Sequence, residues 1–538
     1  MMKRFIRQKK RNTMSMGMVL LIAVCCLSVV YAALCSVIYM FGSGSVEISY
    51  KNLYYWVDTS TGKGNFYRSC TDGEVDKDSS TDFTTMAQAV NAIKNGGNIY
   101  MLSTYVPGKG ESVSVNTKTI TIQRYVSKTT TSAGVETIKA AFTDGPLFDV
   151  STDFKIELAG TKPCLAINGN EVKSSAGAFK VSNGAKLTLN NSETTSITSE
   201  GNNGGIFTIN ENYCSLSIDS SDSNVLYGGG AIYALGGQVD AKNIRFEGNR
   251  STNTGEAFGG AIYAANNGAV KSDISLENCS FTNNTARNLK LEEVMSSTYA
   301  WIGVAPAYGG AVCVKGSTVN MTQCTFTGNA VDVYKKNNIR ATGGAVYIDS
   351  TSSGSMKDCT VESNQSSYCI RSGAGVCVEA GDNAFALSGK TIIKNNSCYF
   401  VDPDSNNGIN ANDNLYLSGD GSNISIDTSK ISEGSNIFVN VNPEPAKNGD
   451  LKALISDDIH KASSADFFHS DIGGYKAQIE NSSNYKGLYL VSSSEYDDLW
   501  YRVVSNVSTV TGYNYKSFFY KDKSGVLQDT GLAHFVDA

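Results

Sequence analysis

"GGAIYAANNGAVKSDISLENCSFTNN", residues 259–284, opens on paired glycines and closes on a Phe followed three places later by Asn. Nearly the same words stand at 229–249, "GGAIYALGGQVDAKNIRFEGN", and at 309–329, "GGAVCVKGSTVNMTQCTFTGN". Looser copies follow at 343–364, "GGAVYIDSTSSGSMKDCTVESN", and at 373–396, "GAGVCVEAGDNAFALSGKTIIKNN". Aligned after the glycines, the copies begin at Ile232, Ile262, Val312, Val346 and Val376, in steps of 30, 50, 34 and 30 residues. Periods of roughly 20–50 residues mark solenoids or propellers. The block from Gly-Gly to Asn hardly varies: 229–249 and 309–329 are both 21 residues long. Length varies most between one Asn and the next Gly-Gly. Constant blocks with insertions at one corner predict a stacked coil with loops on one face, which is a solenoid.

Side chains support the stacking. Residues two apart in a strand share a face, and before the closing Asn the inward pairs read Ile244/Phe246, Cys279/Phe281, Cys324/Phe326 and Cys359/Val361. Cys313 and Cys377 take the place held by Tyr233, Tyr263 and Tyr347 in other copies. In-register strands stack about 4.8 Å apart, with Cβ vectors too parallel for a relaxed disulfide. The expectation is a ladder of buried thiols filling space. The closing Asn residues (Asn249, Asn284, Asn329, Asn364, Asn396) suit a tight corner, where Asn bonds the turn and tolerates left-handed geometry. The glycines suit the other corner, where a side chain would strike the coil above.

The rest of the chain fits this frame. Of 538 residues, 52 are Gly, 7 Pro and only 3 His, with 18% charged. Short strands joined by polar turns explain that mixture better than helices do. A net charge of −6 without a basic stripe excludes nucleic acid as an expected partner. Residues 1–13 are a basic tail and 14–41 an apolar stretch long enough to span a bilayer. Lys and Arg before it place the tail in the cytoplasm and the remainder outside. The reading is an uncleaved transmembrane signal-anchor, with cleavage near Ala33 in "VVYAAL" as the alternative, giving a secreted chain. Three of the 13 Cys lie in that stretch.

Residues 42–81 read as a stalk or linker carrying one aromatic cluster, "YKNLYYW". Phe83, Met86, Val90 and Ile93 then fall at helical spacing, with Thr81 or Asp82 as N-cap and Gly96 as the stop. One such capping helix would cover the open end of a solenoid. The β-helix itself is expected over 82–440, and a further β-rich region over 441–538.

The alternation of GGA[IV] (229–232, 259–262, 309–312, 343–346) with FxxN (246–249, 281–284, 326–329) resembles the repeats of chlamydial polymorphic outer membrane proteins and of adhesin-like proteins. "NDNLYLSGDGSNISIDTSKISEGSNIFV", 412–439, is similar to the tail of such regions. The resemblance implies an all-β fold, a right-handed parallel β-helix on the cell surface, working in adhesion to host or neighbouring-cell glycans or surface proteins. The C-terminal "GLAHFVDA" departs from the chlamydial pattern in lacking a terminal aromatic, so attachment is expected from the N-terminal span.

Parallel β-helices also house pectate lyases and polygalacturonases, whose hydrolytic chemistry needs converging carboxylates. Asp240, Glu277 and Glu362 scatter by register, and His460, His469 and His534 lie outside the repeats. Asp457/Asp458 and Asp497/Asp498 read as acidic turns. No catalytic, metal or cofactor residue is therefore assigned. The one feature the scaffold does not require is the insertion 285–308, whose Tyr299, Trp301 and Tyr308 are the candidate ligand contacts. The bland reading is that Trp301 pins the loop to the coil; Tyr54, Tyr55 and Trp56 pose the same choice, with packing against the helix preferred. Expected function is a non-catalytic adhesin-like surface protein. The alternatives are a polysaccharide-degrading lyase or hydrolase and a structural surface-layer or stalk component.

Overall fold

Take the coil that begins at Ile262. The chain runs through the strands Ile262–Ala265, Asp273–Glu277, Ser280–Thr282, Thr285–Asn288 and Ala307–Tyr308. It then starts again at Val312–Lys315, which pairs in parallel with Ile262–Ala265 in register, Ile262 opposite Val312. Every strand of the coil meets its counterpart above in the same way. The residues align where the repeat places them: Ile232, Ile262, Val312, Val346, Val376 and Leu415 form one column. The fold is all-β, a coiled stack of parallel strands.

The computed structural model describes residues 50–536 with interruptions, the longest at 126–135, 192–206, 217–227, 289–305, 443–451, 454–466 and 505–513. The expected basic tail and membrane span lie outside the described residues. Among the described residues no helix is long and apolar enough to cross a membrane. The coils build sheets of twelve, nineteen, eight and three strands. The nineteen-stranded sheet holds two ladders, begun by the GGA strands and the FxxN strands. Among the described residues they join only where Asn436–Asn442 pairs with both Ile392–Lys394 and Leu415–Ser418.

Inward residues from three ladders make one continuous core. In the chosen coil these are Ile262 and Ala264, Ile274 and Leu276, Cys279 and Phe281, all buried. The Phe column stacks in register: Phe246, Phe281 and Phe326 have centroids 4.7 Å apart and nearly parallel planes. Cys279, Cys324 and Cys359 lie beneath it as buried free thiols. Each Sγ approaches a backbone carbonyl of the preceding coil, Cys324 reaching Leu276 O at 3.5 Å.

The two corners differ from expectation in one respect. The closing Asn residues are not the left-handed ones. That conformation falls on the residue before each of them: Gly248, Asn283, Gly328, Ser363 and Asn395. The closing Asn is instead wholly buried and forms a hydrogen-bond ladder. The Asn284 Oδ1 accepts from both the backbone N–H and the side-chain amide of Asn249, at 3.0 and 2.9 Å. The pattern repeats through Asn329, Asn364, Asn396 and Asn414. Spare amide hydrogens go to carbonyls such as Phe246 O and Phe281 O. At the glycine corner the two residues do different jobs. Gly309 takes φ +64, and a Cβ on Gly310 would overlap the carbonyl oxygen of Gly344 in the next coil.

Different elements stand at the two ends of the stack. The capping helix is Met86–Ala92, shorter than the spacing predicts. Its N-cap is Thr85, not Thr81 or Asp82, because Thr85 and Gln88 form a reciprocal capping box. It stops at Ile93, well before Gly96, because Ile93 is already extended and begins the strand Ile93–Met101. Part of the stretch read as a stalk is sheet. Tyr50–Asp58 pairs in parallel with Ile93–Met101, and Lys63–Tyr67 closes that edge antiparallel. The alternating Leu53 and Tyr55 explain it, since both are buried in the core. At the other end Gly408–Asn412 turns back antiparallel on Ser397–Val401. Phe468–Ser470 adds in parallel to Asn436–Asn442. The remaining C-terminal strands form two three-stranded sheets, with Tyr475–Asn481 and Lys486–Ser492 antiparallel in one and Leu499–Val504, Asn514–Lys521 and Leu527–Val536 antiparallel in the other.

Candidate functional site

The insertions between a closing Asn and the next glycine pair leave the coil at one place, while the insertion 266–272 follows the strand Ile262–Ala265 at another corner. After the Asn corner come the strands Arg250–Asn253, Thr285–Asn288, Ala330–Asp332 and Gln365–Ser367. The first three lead across a loop to Ala257–Phe258, Ala307–Tyr308 and Ala341–Thr342, which form a small parallel sheet of their own. The feet of the loops are cemented by Ala257, Ala286, Ala307, Val331, Val333 and Ala341. Across them Arg287 meets Asp332 at 3.2 Å, an exposed pair worth little to stability.

Tyr299 and Trp301 lie outside the described residues. Tyr308 lies in a strand at the foot of the insertion, and this corrects its reading as a contact. It ends the strand Ala307–Tyr308 and is only 9% exposed. Its ring stacks on Phe258 at 5.6 Å and leans on Tyr347 at 4.6 Å. The Lys315 ammonium lies over Phe258 and Tyr308, at 4.6 and 5.5 Å. The signal was in the repeat, one step further out than the Gly-Gly. Ala-Phe, Ala-Tyr and Ala-Thr precede the glycines at 257, 307 and 341.

That packing extends to a column outside the main core. Tyr233, Tyr263, Cys313, Tyr347, Cys377 and Tyr416 point away from Ile262 and its stack, and the loop feet cover them. Burial pushes the Tyr263 and Tyr347 hydroxyls far above the ordinary phenol range, and Glu379 adds to this at Tyr347. Burial also raises the Cys313 thiol, outweighing the opposing charge of Lys315. A thiol held neutral in this way is inert rather than nucleophilic.

The scattered carboxylates stay scattered. Asp240 pairs with Lys186 and Glu277 with Lys242 on the outer face of the twelve-stranded sheet. Glu362 meets Lys394 at 3.4 Å on the FxxN ladder. His469 packs on Phe438, and burial lowers its pKa. Asp457/Asp458 and Asp497/Asp498 lie outside the described residues, as does His460. Among the described residues no group of three or more His, Cys, Asp or Glu is placed to hold a metal ion.

Sequence reasoning missed one ionisable group. Asp471 terminates the Asn ladder, taking the Asn414 backbone N–H and side-chain amide on its two oxygens, each at 2.8 Å. Burial pushes its carboxyl up to about 7, and the charge of Asp413 adds to the shift, against the pull of the Asn414 bonds. Nothing in "FFHSDIGG" marks it, because its partner is 57 residues away.

No family model matches this chain, and neither a curated protein nor a solved structure is similar enough to it to match.

Proposed function

We propose that the chain is a non-catalytic, adhesin-like surface protein. A rigid right-handed β-helix holds variable loops outward for contact with glycans or proteins of a host or neighbouring cell. The observation that carries this reading is the edge between the eight-stranded and three-stranded sheets, where the linking segments vary most. The coil is constant in register, yet the linking segments 254–256, 289–306 and 333–340, each running from the eight-stranded to the three-stranded sheet, differ in length. A scaffold that fixes its own geometry and varies most at one edge is suited to presentation, where many weak contacts add up to avidity. Right-handedness follows the rule for parallel strands joined by crossovers. The resemblance of the GGA[IV] and FxxN words to adhesin-like repeats points the same way. The N-terminal apolar stretch would anchor the rod with its coils outside the cell.

The carboxylates support binding over hydrolysis, because Asp240 and Glu277 are engaged with lysines and Glu362 faces out from another sheet. The test uses the full chain in lipid nanodiscs, exposed to immobilised polysaccharides, host glycans and intact cells. Retention and the release of new reducing or unsaturated ends are read from the same samples. Expected is retention without product, lost on removing 290–305. That deletion spares the structural residues Ala286, Ala307 and Tyr308. Release of product would overturn the binding-only reading.

A further inference from the structure

A dipeptide with chemistry of its own occurs three times among the described residues, and the fold treats each copy differently. The pairs are Asn95-Gly96, Asn183-Gly184 and Asn267-Gly268. In such a pair the backbone nitrogen of the glycine can attack the asparagine Cγ, because glycine has no side chain to hinder the approach. The attack needs a glycine N–H that is not already donating. It also needs a side-chain amide free to swing over the backbone.

Two of the three pairs are tied down. At the first, the Gly96 N–H donates to Thr119 O at 2.6 Å, and the Asn95 Oδ1 accepts from the Thr119 N–H at 2.8 Å. At the second, the Gly184 N–H donates to Gly236 O in the next coil, at 2.8 Å. The third has neither restraint. Asn267 and Val270 exchange both backbone hydrogen bonds, at 2.8 and 3.2 Å, and close a hairpin whose two-residue loop is Gly268-Ala269. Gly268 takes φ +60 at the first place of that loop, where hairpins favour glycine, and nothing lies within 4 Å of its Cβ position. Among the described residues neither the Gly268 N–H nor the Asn267 side chain has a hydrogen-bond partner. The hairpin itself is held in place. A Cβ on Gly236 would come 2.9 Å from the Asn267 Cβ, and one on Gly316 would come 2.9 Å from the Asn266 Cγ. It therefore rests against a left-handed glycine of each neighbouring coil while Asn267 stays exposed.

We infer that Asn267 is a site of spontaneous modification, converted through a cyclic imide to aspartate and isoaspartate with solvent water as the co-reactant. The Gly268 nitrogen loses its proton and bonds to the Asn267 Cγ. The Cγ–Nδ2 bond breaks, and Nδ2 leaves with that proton as ammonia. Water then opens the imide ring. Breaking the new Cγ–N bond gives aspartate. Breaking the original backbone C–N bond leaves the chain running through Cγ, an isoaspartate one methylene longer. Either product carries a carboxylate where a neutral amide stood. The longer backbone of isoaspartate can no longer exchange both bonds with Val270, so the hairpin opens over Gly236. The inference is independent of the adhesin reading.

The experiment incubates the full chain in nanodiscs at mildly acidic and mildly alkaline pH. The three pairs are followed by mass spectrometry of proteolytic peptides, with fragment ions separating Asn267 from Asn266 and chromatography separating the two products. Conversion is expected first at Asn267, at least about fivefold faster than at Asn95 or Asn183, since each of those pairs must first give up a hydrogen bond. It should quicken as pH rises, because the attacking nitrogen must shed its proton. Asn267→Gln should remove the product from that peptide and leave the other two pairs unchanged. Gly268→Ala should slow conversion, because its methyl group hinders the approach. In urea the three pairs should converge on one rate, because they are the same dipeptide and only the fold distinguishes them. No conversion at Asn267 would overturn the inference, as would equal or faster conversion at either tied pair. A ranking that survives unfolding would also overturn it, since local sequence rather than the hairpin would then be the cause.

Discussion

Two stretches of this solenoid follow one path in different words. In the repeat coils the corner before the GGA strand reads Gly230-Ala231-Ile232, repeated as Gly260-Ala261-Ile262 and, with Val for Ile, as Gly310-Ala311-Val312. In the earlier coils the same corner reads Gly177-Ala178-Phe179, and one coil before that Pro146-Leu147-Phe148. The ladder is continuous across the change. Phe148 and Phe179 stack at 5.2 Å, and Phe179 pairs with Ile232. Inward alternation and parallel hydrogen bonding therefore suffice to make a coil. The special words are needed only where backbone crowds backbone at a corner, or where a buried polar ladder must be kept in line.

The sharpest way to break that comparison is at the glycines. Gly310→Ala should cost about 3 kcal/mol or more, because its Cβ meets a carbonyl that belongs to the next coil and cannot retreat without opening the ladder. Gly184, in a turn of the earlier coils, has φ +76 but open space around its Cβ position. Gly184→Ala should cost only about 1 kcal/mol, for the left-handed backbone. Chemical denaturation of both variants measures the gap. Equal losses would mean that the glycine corner is not tight and that the repeat has another cause.

Next in size is the polar ladder. Asn329→Ala removes the acceptor of two Asn284 donors and the donor to Phe281 O, all fully buried. With buried unpaired groups costing about 1–3 kcal/mol, a loss of about 3 kcal/mol is expected. Asn190→Ala, in the earlier coils, breaks a half-buried outer bond to Glu157 at 3.1 Å and should stay within about 0.5 kcal/mol. Thermal unfolding of the pair tests whether the Asn words act through burial or merely through abundance.

Much of this was legible, for a physical reason. A coil that stacks on itself forces equal environments on equal registers, so the Phe, Cys and Asn columns could be read by alignment alone. Tyr308 was misread because a loop aromatic looks like a contact until the preceding register, Phe258, shows that the position is buried. The N-terminal aromatic cluster was half-read. Alternation along Tyr54-Tyr55-Trp56 sends Tyr55 inward against Phe66 and Tyr105 and leaves the other two outside. Which strands stand beside them depends on long-range pairing that no local pattern shows. Asp471 was invisible for the same reason.

Asp471 makes the end of the ladder titrate where its middle does not. Its folded pKa, about 7, lies above the ordinary carboxylate value of about 3.9, so the folded state holds the proton more tightly. The stability it contributes is complete below about pH 4 and is lost as pH rises toward 7, by up to a few kcal/mol. Hydrogen exchange at Asn414 and along Asn436–Asn442 should accelerate over that window. Asp471→Asn should flatten the dependence, and an unchanged slope would mean the titrating group is elsewhere. The titratable neighbours are Asp413, whose oxygen accepts from Ser372, and His469.

The smallest effect separates the two sets of cysteines. Cys324 sits in the main core between Cys279 and Cys359, with backbone carbonyls of Leu276 and Thr322 in reach at 3.5 and 3.4 Å. A serine hydroxyl there keeps a donor for those carbonyls while giving up volume, so Cys324→Ser should cost about 1 kcal/mol. Cys313 instead lies in the outer aromatic column, beneath the feet of the variable loops. Burial raises both thiols, so neither should react in the closed state. Their difference is in what must open. Labelling of Cys324 should track global unfolding, because the core on three sides holds it. Labelling of Cys313 needs only the loop feet to lift, a local event of lower free energy. Under native conditions a disulfide reagent should therefore modify half-buried Cys70 first, Cys313 next and Cys324 last. If Cys313 and Cys324 react at one rate, the loop edge and the coil core open as a single unit. The separation of scaffold from presented surface would then fail.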